Sequence, residues 1–107
     1  MFTPARLAAA RASGRAVFVN YTAAWCVTCI VNERRVLAAA WFRPAMAKAG
    51  IVYMKGDWTN RDAEIARALE RFGRPGVPLY VVYRPGEAPR VLPQVLTPDI
   101  LLGAIEN

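Results

Sequence analysis

Short runs of apolar residues recur along the chain, each bounded by glycine, proline or polar residues. Three of these runs, at 16–21, 51–55 and 77–83, are rich in β-branched and aromatic side chains and predict strands, and the first should be buried on both faces. A turn at Pro85-Gly86 leads into a shorter apolar run at 90–92, which predicts the return strand of a hairpin. The pattern therefore predicts a sheet of about four strands.

Helix signals fill the segments between these runs. Thr3-Pro4 and Thr97-Pro98 each predict a helix start, because threonine is a favourable N-cap and proline suits the first helical position. The predicted order is helix, strand, helix, strand, helix, strand, strand, helix. This alternation predicts an α/β fold, with a central mixed β-sheet flanked by helices on both faces. Its first two strands should be parallel through a right-handed crossover.

The two internal helices follow the first and second strands. One is predicted from Cys26 through Leu37, with Pro44 breaking or restarting it. The other is predicted to be capped by Thr59, with Asp62 in a weak version of the capping box. Apolar residues then recur at helical spacing up to residue 72, which supports a helix there.

The chain's two cysteines, Cys26 and Cys29, lie where the first strand gives way to a helix. A CxxC at such a junction is typical of a redox site. The partial positive charge of a helix N-terminus favours the thiolate and lowers its pKa. Residues three apart in a first helical turn lie side by side, so this pair can close a disulfide. We therefore predict that Cys26 is the attacking, more exposed thiol and Cys29 the resolving thiol.

Other roles for the cysteine pair stay open at this point. An inert structural disulfide is one, although a loop this short restricts the unfolded chain less than a long one would. Structural zinc needs four ligands, and the chain has two cysteines and no histidine. Two soft thiolates could still hold copper, so a Cu(I)-binding CxxC module is the alternative from another class.

Composition narrows the function further. The chain has 107 residues, of which 55% are hydrophobic, so residues 1–107 should form one domain with a sizeable core. The absence of histidine excludes Ser-His and Cys-His catalysis. The net charge is +6, but the arginines are spread along the chain, which favours a solvated basic surface over nucleic-acid binding. Docking on an acidic partner or on membrane headgroups stays open. We find neither a stretch of about 18 apolar residues nor a signal-peptide pattern.

These features resemble the thioredoxin superfamily over nearly the whole chain. The resemblance is carried by the buried strand that feeds Trp25-Cys26-x-x-Cys29, by the order of elements, and by Gly76-Val77-Pro78 at the third strand. It implies that Pro78 follows a cis peptide bond and lies beside the sulfurs. It also implies that the backbone of Val77 pairs with an extended segment of a substrate. Trp25 would shield the sulfurs and supply apolar docking surface.

A closer resemblance is to the C-terminal domain of the DsbD family, including its ScsB-like branch. These are thiol:disulfide interchange proteins of the bacterial inner membrane. The matching stretches are Ala24-Trp25-Cys26-Val27-Thr28-Cys29 with Glu33 four residues later, Gly56-Asp57-Trp58-Thr59-Asn60, and Gly76-Val77-Pro78-Leu79-Tyr80.

The DsbD resemblance implies a protein-disulfide reductase that is a periplasmic fragment of a larger membrane protein. It would take electrons from the membrane domain and pass them to an N-terminal periplasmic domain. From there they would reach oxidised isomerases or cytochrome c maturation proteins. We expect a monomer that needs no cofactor or metal beyond its redox-active disulfide. A free-standing cytosolic thioredoxin-like reductase is the alternative.

Some positions depart from the superfamily pattern. An acidic residue usually lies six positions before the first cysteine, beneath the second one, but here that position is Asn20, which cannot titrate. Glu33 could partly substitute for it, or could be a surface acid paired with a nearby arginine. Ile30 stands where lysine is common, which weakens the case for a strongly depressed Cys26 pKa. Val27-Thr28 replaces the Gly-Pro of thioredoxin. These differences leave the reduction potential of the cysteine pair open.

Overall fold

The computed structural model describes residues 1–106. In chain order its elements are helix α1 (Pro4–Ala12), strand β1 (Ala16–Thr22), helix α2 (Val27–Asn32), a π-helical turn (Glu33–Leu37), helix α3 (Phe42–Ala49), strand β2 (Ile51–Asp57), helix α4 (Ala63–Arg71), strands β3 (Leu79–Tyr83) and β4 (Arg90–Val91), and helix α5 (Pro98–Glu106).

The four strands form one mixed sheet in the order β2-β1-β3-β4. Strand β1 pairs in parallel with β2, with Ala16 opposite Ile51, and antiparallel with β3, with Val17 opposite Tyr83. Strand β4 pairs antiparallel with β3 and forms the edge. The predicted α/β sheet, including its parallel first pair and its antiparallel hairpin, is confirmed.

The core lies on both faces of this sheet. On one face, Phe18 packs with apolar residues of the π turn, α3 and α5. On the other face, Val17 and Val19 pack with residues of α1 and α4. Because successive side chains of a strand point to opposite faces, a strand in this position must be apolar at almost every residue. The one polar side chain buried within β1 is that of Asn20.

The predicted boundaries of two helices were wrong, the start of one and the end of the other. Helix α4 begins after Asp62, whose carboxylate accepts hydrogen bonds from the backbone N–H groups of Glu64 and Ile65. Thr59 does not cap it, because its hydroxyl is bonded elsewhere. The helix that follows the cysteines does not stay α-helical to Leu37; it ends as α2 at Asn32 and widens into the π turn.

Proline positions explain two further boundaries. Pro44 lies in the first turn of α3, where its missing N–H removes no hydrogen bond, so this proline restarts a helix as predicted. Strand β3 begins at Leu79 rather than Val77, since Pro78 has no N–H to offer a neighbouring strand.

Among residues 1–106, no helix has the length and apolar character needed to cross a membrane.

Candidate redox site at the N-terminus of helix α2

The cysteine pair lies just beyond the C-terminal end of β1, at the start of α2. Cys26 is the N-cap residue, and its Sγ accepts a hydrogen bond from the backbone N–H of Cys29 at 3.2 Å. The two residues are joined by a disulfide, with their Cα atoms 5.2 Å apart. In the reduced protein, an N–H donor and a helix N-terminus at the same sulfur would both favour the Cys26 thiolate.

The two cysteines differ in their exposure to solvent. Cys26 is 9% exposed and Cys29 is 3% exposed, so the predicted order of exposure is confirmed. Both pack with Ala23, and the side chain of Val77 lies against the same small cluster. A partner disulfide can therefore approach Cys26 more readily than Cys29. The assignment of attacking and resolving thiols stays a prediction.

The segment before β3 lies beside the disulfide and forms another side of the site. The Val77–Pro78 peptide bond is cis, as the resemblance implied. Pro78 is buried, whereas Val77 is half-buried and contacts the disulfide cluster. This arrangement puts the backbone that precedes β3 next to the sulfurs, where an extended substrate segment could pair with it.

Trp25 is held from the opposite side by the loop after β2. Its indole N–H donates to the backbone carbonyl of Thr59 at 3.0 Å, and its ring centroid lies 5.9 Å from that of Trp58. The backbone N–H of Ala24 donates to the Thr59 hydroxyl at 2.8 Å. That hydroxyl donates in turn to Asp57, and these hydrogen bonds from Thr59 hold the pKa of the Asp57 carboxyl below its usual range. Thr59 therefore braces the segment that leads into the cysteines, a role that a local helix-cap signal could not show.

Exposed apolar side chains surround the disulfide. Val27, between the cysteines, is 74% exposed, and Trp25 is 48% exposed. Ile30 and Val31 extend this apolar surface along α2, while Thr28 is half-buried. Exposed apolar surface of this kind is typical of a contact region for another protein.

Asn20 lies in β1, and its amide is 2% exposed. Its Nδ2 donates to the hydroxyl of Tyr53 at 2.9 Å, and its Oδ1 has no hydrogen-bond partner among residues 1–106. Burial raises the pKa of Tyr53, and the hydrogen bond from Asn20 partly offsets that rise. The structure thus gives Asn20 a definite partner in the core; its effect on the cysteines stays a prediction.

Glu33 lies at the start of the π turn and forms an ion pair with Lys55, with a distance of 3.4 Å between Oε1 and Nζ. The expected arginine partner was therefore wrong, and lysine takes that place. Glu33 also lines a cavity of about 220 Å³ together with Cys29, Lys55 and Asp57. Glu33 therefore shares this cavity with the resolving cysteine, whereas Asn20 does not line it.

Asn32 is a site-supporting residue that the sequence reasoning missed. Its side chain is 1% exposed, and its Nδ2 donates to the Tyr80 hydroxyl at 2.8 Å and to the Gln94 carbonyl at 2.7 Å. Its Oδ1 accepts from the backbone N–H of Leu96 at 3.1 Å. These bonds tie the helix that carries the cysteines to β3 and to the loop before α5. The available signal was its spacing, because it follows Cys29 by three residues and so lies on the same buried face of α2.

Residues 1–106 contain no group of three or more histidine, cysteine, aspartate or glutamate side chains placed to hold a metal ion. The disulfide beside the cis proline is thus the feature around which the described side chains converge.

Residues 2–85 match a family model described as thioredoxin-like. The chain belongs to the thioredoxin-like family.

Curated relatives of this thioredoxin-like chain include two thiol:disulfide interchange proteins. DsbD 2 of Pseudomonas aeruginosa is 36% identical over 73 residues, which cover 68% of this chain and 12% of that protein. DsbD of Ralstonia nicotianae is 35% identical over 75 residues, which cover 70% of this chain and 12% of that protein. The match therefore spans only about an eighth of the length of these relatives.

Solved structures agree over nearly the full length. The oxidised C-terminal domain of DsbD from Neisseria meningitidis matches with a TM-score of 0.76 at 21% identity, covering 97% of this chain and 94% of that one. Trxlp from Edwardsiella tarda matches with a TM-score of 0.72 at 27% identity, covering 95% of this chain and 92% of that one. The sheet and helices described above are therefore those of the thioredoxin-like fold.

Proposed function

We propose that this chain is the reductase domain of a DsbD-like protein and exchanges disulfides through Cys26 and Cys29. The observation that carries the proposal is the position of the disulfide. It lies at a helix N-terminus, its first cysteine is the more exposed one, and the residue before a cis proline packs against it. The similarity to two DsbD proteins supports the same activity.

The reaction consists of two thiol–disulfide exchanges. The Cys26 thiolate attacks one sulfur of a partner disulfide, whose S–S bond breaks as the mixed disulfide forms, and the other partner sulfur leaves as a thiolate. Deprotonated Cys29 then attacks Sγ of Cys26, which releases the second partner sulfur and forms the Cys26–Cys29 disulfide. Two electrons have passed from the domain to the partner.

Surrounding residues have distinct tasks in this proposal. Trp25 and Val27 supply apolar contact surface, Thr28 completes the turn between the cysteines, and the backbone of Val77 beside Pro78 holds the partner segment. Glu33 accepts the proton of Cys29 through the cavity that both residues line, because an amide at Asn20 cannot titrate.

The similarity to DsbD proteins supports a location in the bacterial periplasm, with the domain joined to an inner-membrane protein. A membrane-embedded carrier returns Cys26 and Cys29 to the dithiol, and an N-terminal periplasmic domain receives the electrons. Oxidised isomerases or cytochrome c maturation proteins are then the final acceptors. The domain acts as a monomer and needs no cofactor other than its own disulfide.

The reduction potential of the cysteine pair tests the direction of electron flow. Equilibration against a series of dithiothreitol or glutathione buffers should give a value near thioredoxin's, about −270 mV, or slightly above it. A value near about −120 mV, typical of a strong oxidant, would contradict the reductase proposal. Stoichiometric retention of Cu(I) by the reduced protein against a strong competitor would favour the copper-binding alternative instead.

A trapping experiment tests the roles of the two thiols. Cys29→Ala should accumulate a mixed disulfide through Cys26, because the resolving step is lost. Cys26→Ala is the matched control and should trap far less partner. Equal trapping by both variants would show that the assignment of attacker and resolver is wrong.

A further inference from the structure

Arg61 occupies an unusual position beside the redox site. It lies in the loop between β2 and α4 with a φ of 53°, and it is the one residue other than glycine with a positive φ among residues 1–106. Its backbone N–H donates to the Trp58 carbonyl at 2.9 Å, which closes the turn. Such backbone conformations are strained for a residue with a side chain and are concentrated at functional sites.

This turn places the Arg61 guanidinium over two aromatic rings. Its central carbon lies 4.9 Å from the ring centroid of Trp25 and 5.0 Å from that of Trp58. Trp25 directly precedes Cys26 in the chain. A cation–π arrangement of this kind holds the group in place while the N–H donors in its plane stay available. The loop thus fixes a cation over the residue that precedes Cys26.

The guanidinium has no acidic partner within residues 1–106, since the ion pair found there joins Lys55 and Glu33. Its side chain donates no hydrogen bond within that part of the chain either. The acids closest to it in sequence are already engaged: Asp57 accepts from Thr59, and Asp62 caps α4. A positioned guanidinium that lacks a carboxylate is prepared to receive one from another molecule.

Arg61 also lines a groove beside Val77, the residue that contacts the disulfide cluster. The groove has a volume of about 290 Å³, and its other walls include Trp25, Trp58, Gly76 and Val77. Arg61 is its one charged residue among those described. Val77 contacts the cysteine cluster, so a segment that pairs with Val77 to reach Cys26 passes within reach of Arg61.

We propose that Arg61 is a specificity-determining residue, which favours disulfide partners that carry an aspartate or glutamate close to the reacting cysteine. The inference rests on the proposed disulfide reductase activity and adds the chemistry of the preferred partner. The carboxylate would take the planar N–H donors of the guanidinium, a geometry that a lysine could not reproduce.

Symmetric disulfide dimers of short blocked peptides provide the test. Each peptide contains one cysteine in a glycine-serine background. A single aspartate is placed one, two or three residues before or after the cysteine, and a matched peptide has asparagine at the same position. Reduced domain is mixed with each dimer in a single turnover, and tryptophan fluorescence follows oxidation of the domain. We compare wild type with Arg61→Gln, Arg61→Lys and Arg61→Glu. Arg11→Gln is the matched control, because Arg11 also lies over an aromatic ring, that of Tyr83, near the opposite end of β1.

At one or more positions, the wild type should reduce the aspartate peptide about three to five times faster than its asparagine twin, as expected for one partly exposed charge pair. The preference should vanish in Arg61→Gln, shrink in Arg61→Lys, reverse in Arg61→Glu, persist in Arg11→Gln, and weaken at high salt. The asparagine peptides and the reduction potential should be unaffected by Arg61→Gln, which shows that the site is intact.

Two results would overturn the role of Arg61 while leaving the proposed function intact. One is an equal wild-type rate for the aspartate and asparagine peptides at every position, and the other is a preference for aspartate that survives in Arg61→Glu. Failure of the wild type to reduce any of the peptides would overturn the proposed function, and this inference with it.

Discussion

Asn32→Ala should destabilise the domain strongly, although the substitution touches neither cysteine. The change removes the hydrogen bonds to the Tyr80 hydroxyl at 2.8 Å, to the Gln94 carbonyl at 2.7 Å, and from the Leu96 N–H at 3.1 Å. Gln94 is exposed, so water can replace the bond to its carbonyl. Tyr80 and Leu96 are buried, so their polar groups lose a partner without gaining water.

The size of the effect follows from those two buried groups. Each buried donor or acceptor left without a partner costs about 1–3 kcal/mol, so the loss should be about 2–6 kcal/mol, and nearer the lower limit if a water enters the space. The assay is urea unfolding of the oxidised protein at neutral pH, followed by circular dichroism. The slope of the transition should stay unchanged, because the surface exposed on unfolding is the same.

Asn60→Ala is the control, since it removes the same side chain from an exposed position. It should change the free energy of unfolding by no more than about 0.5 kcal/mol. A loss below about 1 kcal/mol for Asn32→Ala would refute the argument that the amide joins α2 to the core. A double-mutant cycle with Tyr80→Phe would then measure how much of the loss belongs to that pair.

The remaining predictions concern titratable groups near the site. Asn20→Asp should alter the pH dependence with which Cys29 resolves a mixed disulfide, measured by quenched-flow; an unchanged profile would mean that position 20 does not lie beneath Cys29. Glu33→Gln removes an exposed ion pair, so the free energy of unfolding should fall by less than about 1 kcal/mol, whereas resolution should slow markedly if Glu33 accepts the proton. Equal rates of resolution for Glu33→Gln and wild type would remove Glu33 from the mechanism. Burial raises the pKa of Tyr80 from 10.0 to about 12. The resulting stabilisation is present below about pH 10 and is lost as the pH rises toward about 12, so Tyr80→Phe should flatten the fall in unfolding free energy over that range; a decline as steep as in wild type would count against this assignment.

Local patterns along the chain were sufficient for most of the architecture. The apolar runs predicted the strands, and the run at 16–21 predicted a buried one, because a central strand covered on both faces has almost no polar positions. The CxxC at the junction of a strand and a helix predicted the place of the redox pair, since helix N-termini favour thiolates. The cis bond before Pro78 came from the resemblance to the thioredoxin superfamily, not from periodicity.

Boundaries were less predictable where two local signals competed. Thr59 and Asp62 are both good N-cap residues, and either could begin α4 on local grounds. The tertiary structure decides for Asp62, because the Thr59 hydroxyl is bonded to Ala24 and Asp57. Likewise, nothing in the local spacing distinguished an α-helix through Leu37 from the observed π turn.

The side-chain contacts that complete the site were beyond local reasoning altogether. Asn32 bonds Tyr80, Arg61 lies over Trp25, and Glu33 pairs with Lys55. The partners in each pair come from different elements, and periodicity describes only which face of its own element a residue occupies. The residues along the chain therefore predict that a dithiol lies at a helix start. The packing of the sheet and its loops decides which side chains support the dithiol, which cover it, and which carry charge close to it.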